Sequence, residues 1–342
     1  MLNEVMKISR NVSLKDYNTF AIDVCCDRLV EVEHEEEIPT LFEEDNPFRY
    51  EYFVMGDGSN VLFTKPFHGV VIKMLTTGIE KVAENADSVW LKVAAGEKWA
   101  DFVNYCIENQ YYGVENLIGI PGLVGSSPVQ NIGAYSAEVK DVIDAVFGWQ
   151  LSTKLPFILT NSECQFAYRS SIFKTEMKGD CLITSVVFKL SKKERYNITY
   201  QGLIDELKKS DAPLSLRRVA DAVVAVRNSK LPDIRQYGCA GSFFKNPIVN
   251  QKVAEELKMS FPQLVSYPAG LSMVKLAAGQ LIDLAGMKGV RDGDVGVWPH
   301  QALVIVNYGN ATGEEVVAFY QKVQQKVHEK FGILLEPEVN VI

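Results

Sequence analysis

Apolar residues recur every three or four positions in several stretches of the chain, which is the spacing of one face of a helix. Between Trp99 and Cys106 this pattern separates an apolar face from a charged one and predicts a helix over 97–112. The longest pattern follows a capping box that begins at Thr312 and runs to Gly332, a residue type that often ends helices. Shorter helices, one of them capped by Ser215, are predicted at 33–42, 203–207, 215–227, 251–258 and 275–284.

Other stretches alternate between apolar and polar residues or stay apolar over a short distance, as strands do. The predicted strands are 18–24, 52–55, 70–73, 90–93, 145–147, 182–190, 302–306 and the terminal apolar segment 333–339. Strands and helices are therefore interspersed along the chain. A change in composition at 208–213 marks a candidate linker.

The length and charge of the chain limit its class. With 342 residues it is long for a single hydrophobic core, so two or three domains are expected. The formal net charge of −8 argues against a nucleic-acid or membrane-surface role, so neither nucleic acid nor membrane is expected as a partner. An anionic ligand must then be met by locally placed cations and by helix N-termini.

The cysteines and histidines set further limits on the chemistry. None of the six cysteines belongs to a C-x-x-C pair, which indicates reduced thiols in a cytosolic protein. The four histidines are scattered without metal-binding spacing, so no metal site is expected. The first residues do not have the pattern of a signal peptide, and no run approaches the roughly 20 apolar residues of a membrane span. A cytoplasmic location is expected.

A first glycine-rich segment, 56–62, has the composition of a ligand-binding turn. It resembles G-x-G-x-x-G, but Val61 stands where the third glycine belongs and no βαβ unit follows. Its backbone N–H groups, together with Ser59 and Asn60, suit a phosphate or the edge of a cofactor. A plain hairpin turn explains the segment equally well.

A second segment, 117–135, combines glycines, prolines and adjacent serines without the Gly-Lys-Ser/Thr of a Walker loop. The backbone of 122–127 can direct N–H groups at a pyrophosphate, and a short helix from about Val124 would add its positive end. Gln130 and Asn131 can then bind the edge of a heterocycle. A purely structural omega loop is the alternative.

A third segment, 238–247, presents a hydroxyl after a run of small residues. Glycine and alanine at 238–241 allow the backbone to come close to a ligand, and Ser242 follows them directly. The segment is either a rigid ligand-facing turn or a glycine-rich turn between strands whose serine satisfies backbone groups.

Four charged residues are further candidates. Arg169 lies between aromatic and apolar residues, and such a guanidinium either binds an anion or forms a structural ion pair. Arg227 and Lys230 end a predicted helix, where they can serve a ligand or only the helix C-terminus. Glu338 lies in an apolar terminal strand, where burial without a partner would raise the pKa of its carboxyl group.

Taken together, these motifs resemble those of the UDP-N-acetylenolpyruvoylglucosamine reductase family over nearly the whole chain. The matching residues are Asn18-Thr19-Phe20, Gly56-x-Gly58-Ser59-Asn60, Ile120-Pro121-Gly122 through Gly133-Ala134-Tyr135, Tyr168-Arg169-x-Ser171-Ile172-Phe173-Lys174, Lys230-Leu231-Pro232, 240–247 and Leu335-Glu336-Pro337-Glu338-Val339. The resemblance implies an α+β fold with a two-part FAD-binding unit of the PCMH type and a separate α+β substrate-binding domain. The implied boundaries are 1–212 for the FAD-binding unit, with subdomains of about 1–75 and 76–212 and a completing C-terminal strand at 333–342, and 213–332 for the substrate-binding domain.

The resemblance also implies the chemistry. NADPH would reduce FAD, which would pass hydride to the enolpyruvyl group of UDP-N-acetylglucosamine enolpyruvate, giving UDP-N-acetylmuramate for peptidoglycan. Ser242 would donate a proton, and Arg169 and Glu338 would stabilise the charge that develops in the substrate. The residues implied for the UDP-sugar are Tyr168, Tyr200, Lys230, Asn246 and Gln301. Those implied for FAD are Gly56, Gly58, Ser59, Asn60, Pro121, Gly122, Gly125, Ser126, Ser127, Gln130, Asn131, Gly133, Ala134, Tyr135 and Arg227.

Tyr200 matches the tyrosine of the loop-bearing (type I) subclass of this family, and a monomer is expected. Two positions depart from the family pattern. Gln201-Gly202 follows this tyrosine where the family often has glycine at once, and Asn340 stands where a basic residue is common.

Two other functions remain open. Another FAD-dependent oxidoreductase or oxidase of the same binding fold would not need Ser242 together with Glu338. A catalytically silent nucleotide-sugar-binding protein is the second alternative, and the presence of Arg169, Ser242 and Glu338 argues against it.

Overall fold

The computed structural model describes residues 7–43 and 47–342, which fold into two compact units. The first unit contains the described residues up to Val12, those within 26–57, and 68–227. The second unit contains 13–25, 58–67 and 228–342. Two short N-terminal segments thus fold with the C-terminal part of the chain.

Strands and helices alternate irregularly along the described residues. The strands are β1 (Lys7–Ser13), β2 (Cys25–Val32), β3 (Tyr52–Met55), β4 (Val61–Leu62), β5 (Phe67–Met74), β6 (Ile79–Glu84), β7 (Ser88–Ala94), β8 (Gly133–Ala134), β9 (Ala137–Glu138), β10 (Ile143–Gln150), β11 (Leu155–Thr160), β12 (Cys181–Ser191), β13 (Gly238–Ser242), β14 (Ile248–Asn250), β15 (Ser266–Pro268), β16 (Met273–Leu276), β17 (Arg291–Asp292), β18 (Val295–Val297), β19 (Val304–Asn307) and β20 (Asn340–Val341). The α-helices are α1 (Trp99–Glu108), α2 (Gln201–Leu207), α3 (Leu216–Lys230), α4 (Gln251–Ser260), α5 (Ala278–Leu284) and α6 (Gly313–Phe331).

The first unit is built on two sheets, one with the strand order β1-β2-β5-β3 and one with the order β11-β10-β12-β7-β6. Strand β12 is central in the second sheet and buried along most of its length, which explains its nearly continuous apolar sequence. Helix α1 belongs to the same core, with the rings of Phe102 and Phe188 4.5 Å apart. The Trp99 indole N–H donates to the Leu117 carbonyl at 2.9 Å, so this helix also anchors the start of the segment 117–135.

The second unit has smaller sheets and the longest helix of the described chain. Its sheets have the orders β13-β19-β18-β17 and β14-β16-β15, and β20 pairs in parallel with β4. Helix α6 begins at the predicted capping box of Thr312 and Glu315, and it ends at Gly332 with a φ of 67°. Both predicted ends of this helix are therefore confirmed.

The mixed α and β content predicted from the sequence is confirmed, but the strand predicted at 18–24 was wrong. Asn18 closes a turn there, because its amide donates to the carbonyls of Leu14 at 2.6 Å and Ile22 at 3.0 Å. Its carbonyl oxygen accepts from the Ile22 N–H at 3.0 Å. These local bonds satisfy backbone groups that a sheet would otherwise pair.

Two further boundaries differ from the predictions. The helix expected over 275–284 begins at Ala278, because Lys275 and Leu276 pair in strand β16 with β14 and β15. The terminal segment 333–339 is largely irregular, and regular pairing starts only at Asn340.

No helix within the described ranges 7–43 and 47–342 is long and apolar enough to cross a membrane. Among those same residues, no group of three or more His, Cys, Asp and Glu side chains is placed to hold a metal ion.

Candidate active site

In the first unit, the glycine-rich segment 117–135 is held by backbone hydrogen bonds, two of which go to residues that precede helix α1. The Val124 N–H donates to the Glu97 carbonyl at 2.9 Å, and the Gly125 N–H donates to the Ala95 carbonyl at 2.9 Å. Ser126 and Ser127 donate their N–H groups back within a single 3₁₀ turn, Val124–Ser126, which stands where a short helix was expected. The N–H groups of these four residues are therefore bonded within the protein.

Two neighbouring backbone N–H groups, by contrast, are not bonded within the described part of the chain. The N–H groups of Gly122 and Leu123 have no acceptor within the described part of the chain. Gly122 has a φ of 130°, a conformation that is easily reached only by glycine. The pinned turn thus leaves a short stretch of backbone with N–H groups for an anionic ligand.

The two glycine-rich segments meet in the first unit. A Cβ added to Gly56 would lie 3.3 Å from the Ser126 Cβ, so the absence of a side chain lets the two turns approach. Gly125 is equally constrained, because a Cβ there would lie 2.6 Å from the Ala95 Cβ. Sequence reasoning placed these glycines at a ligand, and the structure gives at least two of them a packing role as well.

Buried hydroxyl groups near this turn fit a polar cofactor. The Oγ1 atom of Thr76 and the Oγ atom of Ser185 are buried without a hydrogen-bond partner in the described residues. Ser185 pairs across strands with Ala94, and the Thr76 carbonyl faces Gly96, so both residues adjoin the end of β7 under the turn. An unsatisfied buried hydroxyl costs about 1–3 kcal/mol, which a polar ligand can relieve.

The asparagine expected at the edge of a heterocycle is engaged within the protein. Asn131 is fully buried and has a φ of 49°. Its amide donates to the Glu138 carboxylate at 3.1 Å and the Ala167 carbonyl at 3.0 Å, and its oxygen accepts from the Lys140 N–H at 3.1 Å. With these three bonds, Asn131 shapes the segment that follows it.

Arg169 lies against that same segment. Its guanidinium donates to the Gly133 carbonyl at 2.6 Å and lies 5.5 Å from the centre of the Tyr168 ring. A Cβ at Gly133 would come within 2.9 Å of the guanidinium, so glycine is needed for this contact. Arg169 itself has a φ of 52°, an uncommon conformation for a residue of its size that often marks a functional position.

A second cation approaches the glycine-rich segment from helix α3. The Arg227 guanidinium bonds to the Tyr135 hydroxyl, and burial lowers the pKa of Arg227 and raises the pKa of Tyr135. Gly119, with a φ of 73°, makes room for this arginine, because a Cβ there would lie 3.1 Å from its Nε. Sequence reasoning missed Gly119, although glycine before an apolar-proline pair is a turn signal.

Tyr200 lies beside Tyr135 in the first unit. It is the N-cap residue of α2, and the two rings meet edge to face at 5.1 Å. A Cβ at Gly202 would lie 2.8 Å from the Tyr200 ring. Although the glycine stands one position later than the family often has it, it still provides the space for the ring.

In the second unit, Ser242 is the last residue of β13, and Gly241 before it has a φ of 69°. The Glu338 N–H donates to the Phe243 carbonyl at 2.7 Å, so the segment of Glu338 lies beside that of Ser242. The Glu338 carbonyl also accepts from the Asn60 amide at 3.3 Å. The second unit thus brings together three segments that were predicted separately.

Asn340, which departs from the family pattern, braces this arrangement. Its side-chain amide donates to the Asn60 carbonyl at 3.0 Å, and its N–H donates to the same oxygen at 3.1 Å. A basic side chain is therefore not required to hold this part of the second unit.

Two of the residues predicted for the UDP-sugar meet at the start of α5. The Asn246 side-chain oxygen accepts from the Ala278 N–H at 2.9 Å. A Cβ at Gly279 would lie 3.1 Å from the Gln301 side-chain oxygen. Lys230 is the last residue of α3.

Comparison with known proteins first defines the class. A family model described as FAD binding domain matches residues 26–154, and one described as UDP-N-acetylenolpyruvoylglucosamine reductase, C-terminal domain, matches 233–342. The chain is thus a flavoprotein with an FAD-binding domain and a separate C-terminal domain, as predicted.

The similar proteins define the family. The chain is 44% identical over 339 residues to UDP-N-acetylenolpyruvoylglucosamine reductase of Flavobacterium johnsoniae, covering 98% of this chain and 100% of the relative. It is 45% identical over 336 residues to the protein of that name from Chromobacterium violaceum, covering 97% and 98%. The crystal structure of the Thermus caldophilus enzyme of this name aligns with a TM-score of 0.69 at 26% identity, covering 98% of this chain and 99% of that one. The chain belongs to the UDP-N-acetylenolpyruvoylglucosamine reductase family.

Proposed function

We propose that the chain is an NADPH-dependent flavoenzyme that reduces the enolpyruvyl group of UDP-N-acetylglucosamine enolpyruvate and yields UDP-N-acetylmuramate for peptidoglycan. Relatives named for this reductase activity align over nearly the whole chain. The observation that carries the proposal is the bond from the Glu338 N–H to the Phe243 carbonyl, since it sets Glu338 beside the segment of Ser242. An oxidase of the same binding fold has no need of this pair.

Bound FAD supplies the hydride transfer, for which no side chain of the protein is suited. The N–H groups of Gly122 and Leu123 would hold its pyrophosphate, and Arg227 would oppose the negative charge. In the first unit we assign FAD binding to Gly56, Pro121, Gly122, Gly125, Ser126, Ser127, Gln130, Asn131, Gly133, Ala134, Tyr135 and Arg227. In the second unit we assign it to Gly58, Ser59 and Asn60.

Ser242 acts as the proton donor to the substrate carbon next to the carboxylate. A serine hydroxyl is a weak acid near neutral pH, so the step relies on the strong basicity of the substrate once hydride has been added. Arg169 exchanges its bond to the Gly133 carbonyl for two parallel bonds to the substrate carboxylate. Glu338 contributes by sharing a proton or orienting a donor, since a bare carboxylate would repel the developing charge.

The UDP-sugar is assigned to a further set of residues. Lys230 pairs with a phosphate, and Tyr200, as the tyrosine of the loop-bearing type I subclass, covers the nucleotide. The remaining residues are Tyr168, Asn246 and Gln301. We place the enzyme in the cytoplasm as a monomer.

Anaerobic spectroscopy tests the function. The purified yellow protein is mixed with NADPH and then with UDP-N-acetylglucosamine enolpyruvate. Bleaching with NADPH, followed by recovery of the colour only with this substrate, is the expected result. Recovery only with oxygen would indicate an oxidase, and a colourless protein that does not take up FAD would contradict the proposal.

A further inference from the structure

Two asparagines outside the predicted site join two of its parts within the first unit. Asn116 is 2% exposed, and its amide nitrogen donates to the Tyr135 carbonyl at 2.9 Å and to the Asn197 carbonyl at 2.7 Å. The Asn197 amide in turn donates to the Ser136 carbonyl at 2.7 Å. Asn116 and Asn197, here called the asparagine latch, thereby tie the turn at 135–136 to the segment that leads into Tyr200.

The turn that the latch holds has a strained backbone. Tyr135 and Ser136 have φ values of 49° and 67°, a left-handed conformation that residues other than glycine rarely adopt twice in succession. Such strain persists only where the surroundings enforce it, and it often marks a functional position. The latch supplies this constraint, because one asparagine bonds to each of the two carbonyls.

The latch also holds the residues that precede Tyr200. The Asn197 side-chain oxygen accepts from the Thr199 hydroxyl at 2.9 Å, so the residues just before Tyr200 are fixed to the latch. The Tyr200 ring then lies on Tyr135, whose hydroxyl bonds to Arg227. The backbone before Tyr200 and the Tyr200 ring are therefore both held against the turn at 135–136.

Neighbouring residues strengthen this attachment. The rings of Tyr112 and Tyr196 meet edge to face at 5.8 Å. Glu115 and Arg195 attract each other electrostatically. The stretch 195–197 is thus attached to 112–116 by one contact at each of its ends and by the tyrosine pair between them.

One atom of the latch indicates why asparagine is needed. The side-chain oxygen of Asn116 is buried without a partner in the described part of the chain. An unsatisfied buried oxygen is unfavourable, so the residue is explained by its two donor bonds rather than by its oxygen. Aspartate has the same shape but lacks both donors.

We propose that Asn116 and Asn197 are positioning residues that set Tyr200 for binding of the sugar nucleotide. This inference rests on the proposed function and adds two residues that act through Tyr200 without touching the substrate. Loss of the latch weakens binding of the UDP-sugar and leaves the reduction of the flavin by NADPH intact.

The test compares the FAD-loaded parent enzyme with Asn197→Ala, Asn116→Asp and Asn161→Ala. Asn161 is a matched control, because its amide also donates to two carbonyls of the first unit, those of Lys140 and Ile143 at 2.8 Å, away from Tyr200. Two quantities are measured. One is the hydrogen-exchange rate of peptides covering 194–205, and the other is KM for the enolpyruvyl sugar nucleotide beside the rate of flavin reduction by NADPH.

Asn197→Ala is expected to speed exchange over 194–205 and raise KM by roughly two- to tenfold each, because it loses two exposed side-chain hydrogen bonds, those with the Ser136 carbonyl and the Thr199 hydroxyl. Asn116→Asp is expected to raise the exchange rate and KM further than Asn197→Ala does. Asn161→Ala is expected to change neither quantity. Flavin reduction stays within about twofold in Asn197→Ala, a split that general loss of structure would not give. If the parent turns over and KM is unchanged in Asn197→Ala, the inference is wrong whatever Asn116→Asp does. A parent that never oxidises its flavin with the substrate contradicts the proposed function instead.

Discussion

The glycine-rich segment of the first unit and the Ser242 segment of the second unit are held in place by different means. The first is continuous in sequence and is fixed by backbone bonds to residues that precede helix α1, such as those from Val124 to Glu97 and from Gly125 to Ala95. The second is fixed by residues far away in sequence, since Phe243 bonds to Glu338 and Glu338 to Asn60. A local motif in the sequence indicates each region, but the partners that hold the second region lie much farther away along the chain than those that hold the first.

Replacing Ser242 by alanine should have the largest effect, because it removes the proposed proton donor from the second region. We expect the rate of substrate reduction to fall by about 10²–10⁴-fold while NADPH still bleaches the flavin at the parent rate. Stopped-flow absorbance of the two half-reactions measures both. Ser162→Ala, which removes an exposed serine of the first unit, should change neither rate. Equal loss in both half-reactions would assign Ser242 to binding rather than to proton transfer.

Replacing Gly125 by alanine should weaken the first region. The new Cβ would lie 2.6 Å from that of Ala95, and overpacking of this kind costs about 1–3 kcal/mol. We expect FAD affinity to fall by roughly ten- to a hundredfold, measured by fluorescence titration of the apoprotein. Gly179→Ala is the control, because nothing lies within 4 Å there and only backbone strain at its φ of 74° is added. An unchanged affinity in Gly125→Ala would show that the turn can shift without harm to the cofactor.

Replacing Glu115 by glutamine should have the smallest effect and depends on pH. Burial raises the pKa of Glu115, so the folded state holds its proton more tightly than the unfolded state. The unfolding free energy of the parent therefore declines relative to Glu115→Gln as pH rises from about 4 through the raised pKa. Urea unfolding at several pH values measures the difference.

Glu163→Gln is the control with the opposite sign. Bonds from Thr160 lower the pKa of Glu163, so its contribution to stability is present above the pKa of the unfolded chain and is lost as pH falls. If the unfolding free energy of the parent instead rises relative to that of Glu115→Gln as the pH approaches neutral, the raised pKa of Glu115 is contradicted.

The sequence predicts what depends on neighbours along the chain. Both ends of α6 follow from Thr312 and Gly332, because capping acts within one turn. The strand predicted at 18–24 was wrong, although the bonds that replace it are also local. The side chain of Asn18 satisfies backbone groups there, and the alternation of apolar and polar residues does not predict such bonds.

The remaining features of the site depend on contacts between distant residues. Arg169 contacts Gly133, and Arg227 contacts Gly119, only once the chain has folded. No spacing of residues in the sequence predicts these contacts. The aromatic and apolar residues around Arg169 did identify it as an unusual arginine, but they left open whether it binds an anion or forms a structural ion pair. The structure gives a backbone carbonyl as one partner.

The pairing of β20 with β4 affects the order in which the protein can be made. Asn340 and Val341 pair with Val61 and Leu62, and the Thr64 hydroxyl donates to the Ile342 carbonyl across 278 positions of the chain. At a synthesis rate of about 5–20 residues per second, residues 61–64 wait roughly 14–56 seconds for these partners. Residues 68–227, which make up most of the first unit, are complete well before then. A nascent chain can thus gather the candidate cofactor-binding residues of its first unit before the strand that follows Glu338 exists.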